Sequence, residues 1–324
     1  MSTAFAVLRP RTIEVDSTFL AYALRAPYFI DRVVASSTGV SFPAIGEAEL
    51  GTFEVAFPTI GEQRSIARYL DRETARIDGL IAENQKLIDL IVERRLCAIS
   101  DAVNNGLNGT VHLKPTTSPF FTRIPKNWEL RKLRRIITQV KRPVEVEPET
   151  DYHEIGIRSW GKGIFHKDLL KGSQLEEKNV FRIKPGDLVL NIVFAWEGAV
   201  AVAGISEEGM IASHRFPTFV HSPEVNLDYL LLVLQSGPGR SIMAINSPGA
   251  AGRNKTIRLK QFLNEEIPVP SLEEQHRVVD AVREQEDRLR ALDMAVRTAI
   301  EDLNEKRIAL ISAAVTGQID VREL

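Results

Sequence analysis

The chain has 324 residues, 44% hydrophobic, and a formal net charge of −2 from 41 Lys+Arg against 43 Asp+Glu. That length fits about two domains with real cores. The balance excludes a uniformly basic nucleic-acid coat but leaves room for a local basic face, because steering depends on where charges sit. One cysteine, Cys97, placed within an apolar helix face, excludes an internal disulfide and a thiolate zinc site and fits a reducing compartment. The opening MSTAFAVLRPRTIEVD lacks the apolar core of a signal peptide. No apolar run approaches the ~20 residues that span a bilayer, so a cytoplasmic protein with no membrane partner is expected.

Residues 1–57 read as short apolar segments around one helix. Ser17 or Thr18 starts it, and it runs through Phe19, Leu20, Tyr22, Ala23 and Leu24. The alternation in LGTFEVAFP predicts a strand ending at Pro58.

A long helix follows over 58–106. Thr59 is its expected N-cap, and Glu62, three positions on, completes a capping box. No proline interrupts it as far as Val103, and roughly 45 residues at 1.5 Å each make a rod of ~65 Å. The helix occurs twice. A shift of 212 residues carries Pro58, Glu62 and Gln63 onto Pro270, Glu274 and Gln275, and Arg95, Ile99, Ser100, Ala102 and Val103 onto Arg307, Ile311, Ser312, Ala314 and Val315. Ser271 and Glu274 repeat the capping box. A repeat with one helix per copy is an architectural signal: two similar helices hold apart whatever lies between them.

In the second copy Val282, Leu289, Val296, Leu303 and Leu310 recur every seven residues, with Val278, Leu292 and Ile300 in partner positions, which predicts a coiled-coil seam. The same frame in the first copy gives Leu70, Ile77, Asn84, Ile91 and Ala98. Asn84 is either a polar seam residue that fixes register or a solvent-facing one, and periodicity does not decide between them. Two such helices in one chain most simply pack antiparallel. The repeat extends outward: STFLAYALRAPYFI resembles LDYLLLVLQSGPGR (227–240), and FEVAFP resembles EEIPVP (265–270). Residues 1–57 therefore read as the closing portion of a domain whose complete copy lies at 107–269, with the second helix at 270–324.

Within 107–269 a polar linker precedes WELRKLRRIITQVKRP, which predicts a helix with Trp128, Leu133, Ile136, Ile137 and Val140 on its apolar face. Short strands follow in HEIGI, NVFRI, DLVLNIVFAW, AVAVAGI and FPTFVH. Turns are expected at Gly161–Gly163, Pro185–Gly186 and Glu207–Gly209. A helix at 227–236, the loop SPGAAGRNKTIR and a strand leading to Pro270 close a mixed α/β (α+β) domain.

No phosphate-binding loop is present: there is no G-x-x-x-x-G-K-[ST], and SGPGRS (236–241) lacks both the spacing and the lysine. The six histidines show no paired ligand spacing, which argues against a metal site. Asp187 and Glu197 suggest a nuclease pair only until Gly198, where a lysine would be needed; a turn aspartate and a surface glutamate are the plainer reading. No catalytic residue is expected. What remains are binding features. GAAGRNKTIRLK (249–260) joins small residues to Arg253, Asn254, Lys255 and Arg258, which suit phosphate and base-edge contacts. RSWGKGIFHKDLLKG (158–172) sets Arg158, Lys162 and Lys167 around Trp160 on glycine turns, and HRF puts Arg215 beside an apolar strand. A DNA-reading role predicts that the basic residues of 158–171, 215 and 253–260 share one face. A coiled-coil scaffold whose middle domain binds protein or a small ligand predicts that they scatter.

The doubled P-x-x-x-E-Q followed by a long helix that ends on Ala-Val shortly before a glycine (58–106 and 270–317) resembles the conserved helical regions of specificity subunits of type I restriction-modification systems. IPKNWELRKL (124–133) resembles the opening of a target recognition domain in that family, and PGDLVLN (185–191) its inner strands. The resemblance covers nearly the whole chain. It implies a non-catalytic DNA reader with one complete α/β target recognition domain and a partial one, separated by two long antiparallel coiled-coil helices that act as a ruler. It implies double-stranded DNA, modification (methyltransferase) subunits and restriction subunits as partners. S-adenosylmethionine, ATP and magnesium would be brought by those subunits and none bound by this chain. The first recognition domain is expected to be truncated at its N-terminal side. Self-association, or pairing with another specificity fragment, is then expected to complete it, since exposed edges of a partial domain favour pairing.

Overall fold

A computed structural model describes residues 7–10, 13–39, 43–107, 112–175, 178–249 and 255–321. The chain divides into two compact units, residues 1–91 with 291–324 and residues 92–290. The two long helices, Ile60–Asn105 and Leu272–Val315, contribute to both. Among the described residues no helix is long and apolar enough to cross a membrane.

In the first unit, helix α1 (Ser17–Ala23) starts at the expected position, because Asp16 caps it by accepting from the Thr18 and Phe19 N–H groups at 3.0 Å each. Helix α2 (Pro27–Ser36) follows, with its proline in the first turn, where no backbone donor is lost. Phe19, Tyr22, Ala23 and Ala26 pack against Ile66, Ala67 and Leu70 of the first long helix and Ile311, Ala314 and Val315 of the second. Ile66 to Leu70 meet Ile311 to Val315, and farther along the first helix Asp78 binds Arg307 at 2.6 Å, so the two helices run antiparallel here. The capping box forms as expected, with the Thr59 N–H donating to Glu62 Oε2 (3.1 Å) and the Glu62 N–H to Thr59 Oγ1 (3.4 Å).

One expectation fails in this unit. Residues 53–59 form no strand, because no described segment offers them a ladder. Asn84 is half-buried and donates to Leu80 O of its own helix (2.9 Å), so this amide ties itself to its own backbone.

The second unit carries the complete domain. Strands β1 (Leu113–Pro115) and β2 (Arg123–Pro125) form a small antiparallel pair. The predicted helix over 128–142 is instead strand β3 (Glu129–Lys132), one helical turn at Leu133–Ile136 and strand β4 (Ile137–Val140). The reason is tertiary. The Leu133 N–H donates to Glu265 O (2.9 Å) and the Arg134 N–H to Leu263 O (2.8 Å), so this backbone is committed to its neighbours. Leu133, Ile136 and Ile137 are buried all the same.

Strands β5 (Asp151–Ile157), β6 (Ile164–Lys171), β7 (Val180–Arg182), β8 (Leu188–Leu190), β9 (Val200–Val202), β10 (Ile211–Ser213) and β11 (Thr218–His221) then build two four-stranded sheets. Their orders are β6-β5-β10-β7 and β4-β11-β8-β9. Helices α3 (Leu227–Gln235) and α4 (Gly237–Ile245) meet at a corner, and strand β12 (Glu266–Val269) pairs antiparallel with β3. Residues 265–270 are the repeat of 53–58, so the same sequence pattern is a strand where β3 lies beside it and unpaired where none does.

The main core joins Trp128, Tyr229, Phe219 and Phe262 to Ile99 and Val103 of the first long helix and Val278 and Val282 of the second. Arg95 binds Glu286 at 2.8 Å, so the helices are antiparallel in this unit too. Cys97, expected within an apolar face, is exposed. The heptad seam is partial: Val278, Val282 and Val296 are buried, whereas Leu292 is 43% exposed.

Candidate nucleic-acid interface

The β5–β6 hairpin supplies most of the surface. Gly156 sits where a Cβ would lie 2.3 Å from Phe165 Cζ, so only glycine lets that ring cover the strand. At the tip Trp160, Gly161 and Gly163 all have positive φ (63°, 67° and 76°), which tightens the turn. The Arg158 N–H donates to Gly163 O (3.0 Å) and the Trp160 N–H to Glu197 O (2.9 Å). Ser159 Oγ donates to Glu197 Oε2 (2.6 Å). Glu197, half of the nuclease pattern considered from sequence, thus anchors the hairpin tip to the turn that follows β8.

Arg158, Trp160, Lys162, Phe165 and Lys167 line a concavity of about 450 Å³. A second concavity of about 690 Å³ is lined by Lys178, Asn179, His214 and Arg215 among others. The two share Lys167, Asn191, Phe194 and Phe216 and so form one continuous surface. Five of the predicted residues, from stretches about fifty positions apart in sequence, meet there.

Aromatic rings hold the cations in place. The Arg158 guanidinium lies 5.2 Å from the Phe165 centroid, and Lys167 Nζ lies 6.0 Å from that of Phe216. Lys167 also meets the buried carboxylate of Glu154 at 3.4 Å, which offsets part of its charge. Lys255 lies with Nζ 4.2 Å from the Trp196 centroid, and the Ile257 N–H donates to Ile192 O (2.9 Å), so this segment runs beside the same turn. Arg258 is exposed, its N–H bonded to Asn246 O (2.7 Å), and lines neither concavity. Arg253 and Asn254 lie outside the described residues.

Lys178, Asn179, Asn191 and Phe194 join the surface without having been singled out in the sequence, and Trp196, close in sequence, lies under Lys255. Phe194 and Trp196 fall in DLVLNIVFAW, whose apolar run reads as one strand. The strand stops at Leu190, and the chain then turns, leaving Phe194 39% exposed. A loose Phe-x-Trp at the end of an apolar run was the available signal.

Behind the surface, Glu207 clasps β6. Its carboxylate lies 2.6 Å from His166 Nε2 and accepts from Ser206 Oγ (2.8 Å) and the Gly204 N–H (2.6 Å). Burial pushes its pKa up, but these three partners more than offset that and hold it below the usual glutamate value. Asp187 is 1% exposed, accepts two hydrogen bonds from Arg142 (2.7 and 3.0 Å) and one from the Lys184 N–H (2.8 Å), and is thereby occupied structurally. The surface offers cations, amides and rings, which suit phosphates, base edges and stacked bases.

Residues 125–295 match the family described as "Type I restriction modification DNA specificity domain". The chain is 23% identical over 321 residues to the type I restriction enzyme EcoBI specificity subunit of Escherichia coli, covering 94% of this chain and 66% of that protein. It is 22% identical over 340 residues to the MjaVIII specificity subunit of Methanocaldococcus jannaschii, covering 100% of this chain and 75% of that protein. The chain thus spans about two thirds of the length of the first of these relatives. Its fold is shared with the HsdS subunit from Thermoanaerobacter tengcongensis (TM-score 0.55, 18% identity, 94% of this chain and 71% of that one). It is also shared with a chain from a structural study of complex assembly and conformational transition of the type I R-M system (TM-score 0.68, 16% identity, 93% and 71%). With the family match covering more than half of its length, this chain belongs to the type I restriction-modification DNA specificity family.

Proposed function

We propose that the chain acts as the DNA-reading subunit of a type I restriction-modification complex. Its complete domain at 107–269 binds double-stranded DNA through the hairpin surface. The helices at 58–106 and 270–324 set its spacing and dock modification subunits, to which restriction subunits are added. The observation that carries this reading is the convergence of Arg158, Lys162, Lys167, Lys178 and Arg215 on one ring-lined surface. The scaffold alternative expects the basic residues of 158–171, 215 and 253–260 to scatter, and Arg158, Lys162, Lys167 and Arg215 of that set converge instead. In this reading the chain performs no chemistry itself, and S-adenosylmethionine, ATP and magnesium belong to the partner subunits. Pairing with a second copy or another specificity fragment belongs to the same reading, because it would supply residues 53–57 with the ladder partner that their repeat has in β3.

The test is assembly with the modification subunit, followed by methylation mapping and salt-dependent DNA binding. The complex is expected to methylate one defined site. Changing Lys162 and Arg215 together to Ala is expected to lower the slope of log K against log salt by about 2, one for each phosphate left to its counterions. An unchanged slope with unchanged affinity removes the surface from the footprint. Failure of the complex to form removes the docking role.

A further inference from the structure

The tip of the β5–β6 hairpin holds a bulky aromatic in a conformation that opposes it. Trp160 has a φ of 63°, the one positive value outside glycine among the described residues, yet its side chain is 64% exposed. A left-handed backbone disfavours any residue with a Cβ, and glycine takes it without strain. Exposure also forfeits the burial that usually justifies an indole. Neither the local backbone nor the core therefore accounts for tryptophan at this position. Strained residues persist where the surroundings over-determine them, and they cluster where a side chain must be presented.

The surroundings here do over-determine it. The Trp160 N–H is bonded to Glu197 O (2.9 Å), Ser159 Oγ to Glu197 Oε2 (2.6 Å), and the Arg158 N–H closes the turn on Gly163 O (3.0 Å). On the other side, a Cβ at Gly161 would meet the Gln235 amide at 3.0 Å, so the tip lies against α3 with no slack. Cations lie near the indole: Arg158 and Lys162 line a concavity with it, the Arg240 guanidinium lies 5.9 Å from its centroid, and on another side it borders Val92, Arg95 and Leu96 of the first long helix.

We propose that Trp160 is a wedge that enters one base step of the bound DNA and partly unstacks it, while Arg158, Lys162 and Arg240 hold the flanking phosphates. This rests on the DNA-reading proposal and adds to it a second kind of specificity. The step at the wedge is chosen by how easily it unstacks, which favours pyrimidine–purine steps. A fixed backbone at the tip suits this task, because little main-chain freedom is lost on insertion.

The test uses the complex with its modification subunit and duplexes carrying 2-aminopurine at successive positions of the mapped site. Wild type is expected to raise the fluorescence at one step. Trp160→Ala is expected to abolish that rise at saturating protein and weaken binding about 10-fold or more, with Trp160→Phe intermediate. Trp160→Gly is expected to lose the fluorescence rise yet melt at a higher temperature than Trp160→Ala, which separates the role of the ring from folding. If Trp160→Ala binds as tightly as wild type with the same fluorescence pattern, the wedge is wrong and the DNA-reading proposal stands. If the wild-type complex binds no DNA, both fall.

Discussion

Gln63 and Gln275, 212 residues apart, make the same three hydrogen bonds. Gln63 Oε1 accepts from the Asp16 N–H (2.8 Å), and its Nε2 donates to Glu14 O (2.9 Å) and Pro58 O (2.8 Å). Gln275 Oε1 accepts from the Asn226 N–H (2.7 Å), and its Nε2 donates to Glu224 O (3.0 Å) and Pro270 O (2.9 Å). Both side chains are buried. Each ties the start of a short helix to the proline that precedes a long one. This accounts for the glutamine of the P-x-x-x-E-Q pattern physically: its buried amide satisfies three main-chain groups, while the glutamate caps the helix in the first copy and accepts from Asn127 (3.0 Å) in the second.

Gln275→Ala is expected to lower stability by about 1–3 kcal/mol, because it removes a fully buried amide and leaves an N–H and two carbonyls, that of Pro270 buried, without their partner. Gln275→Glu should be no milder at neutral pH, since a carboxylate has no donor for the carbonyls of Glu224 and Pro270. Denaturant unfolding of both variants checks this; a loss under about 0.5 kcal/mol would mean that another group takes over the clamp.

Asp187 is a structural charge. Removing it leaves the Arg142 guanidinium and the Lys184 N–H without their partner, so Asp187→Ala is expected to cost about 3–5 kcal/mol. Methylation by the assembled complex, measured per folded molecule at low temperature, should be unchanged.

Two glycines are expected to respond with opposite sign. A Cβ at Gly239 would lie 2.0 Å from Val233 O and 2.7 Å from Leu234 Cα, at the corner between α3 and α4. Gly239→Ala should therefore cost about 3 kcal/mol or more. Gly79 lies on an exposed face of the first long helix with nothing within 4 Å of its would-be Cβ. Gly79→Ala should add up to about 1 kcal/mol. Thermal melts of the pair against wild type read both.

The Glu207 clasp sets an acid limit. A carboxyl held below its ordinary pKa contributes stability that is fully present above the unfolded value of about 4.3. That contribution is lost as pH falls through the lower folded value. Wild type should therefore lose more stability than Glu207→Gln on acidification below that pH, with the two curves parallel above it. Parallel curves throughout would show that the clasp contributes nothing to folding.

Much of the frame was legible because it rests on local rules. The doubled helix, its capping residues Thr59 and Ser271, and the glycine turns at 161, 163, 186 and 209 follow from spacing and backbone preference. What stayed hidden depends on distant neighbours. Residues 128–142 carry apolar spacing that suits a helix, yet β12 and β11 bind them as strands. Residues 53–58 share their pattern with 265–270 and differ only in having no ladder beside them. The site was half visible: cations and glycines marked 158–167, whereas Phe194 becomes part of it only where the chain turns after β8, and Lys178 only where β7 pairs with β10.

The clamps grip main-chain atoms alone, which has a consequence for how such a chain can evolve. No side chain at 14, 58, 224 or 270 enters the bonds, and the third partner has already diverged, Asp16 in one copy and Asn226 in the other. Side chains at these positions can therefore change without removing any of the bonds that join the chain to its helix. One glutamine per copy is enough to keep the joint the same in both, whatever side chains surround it.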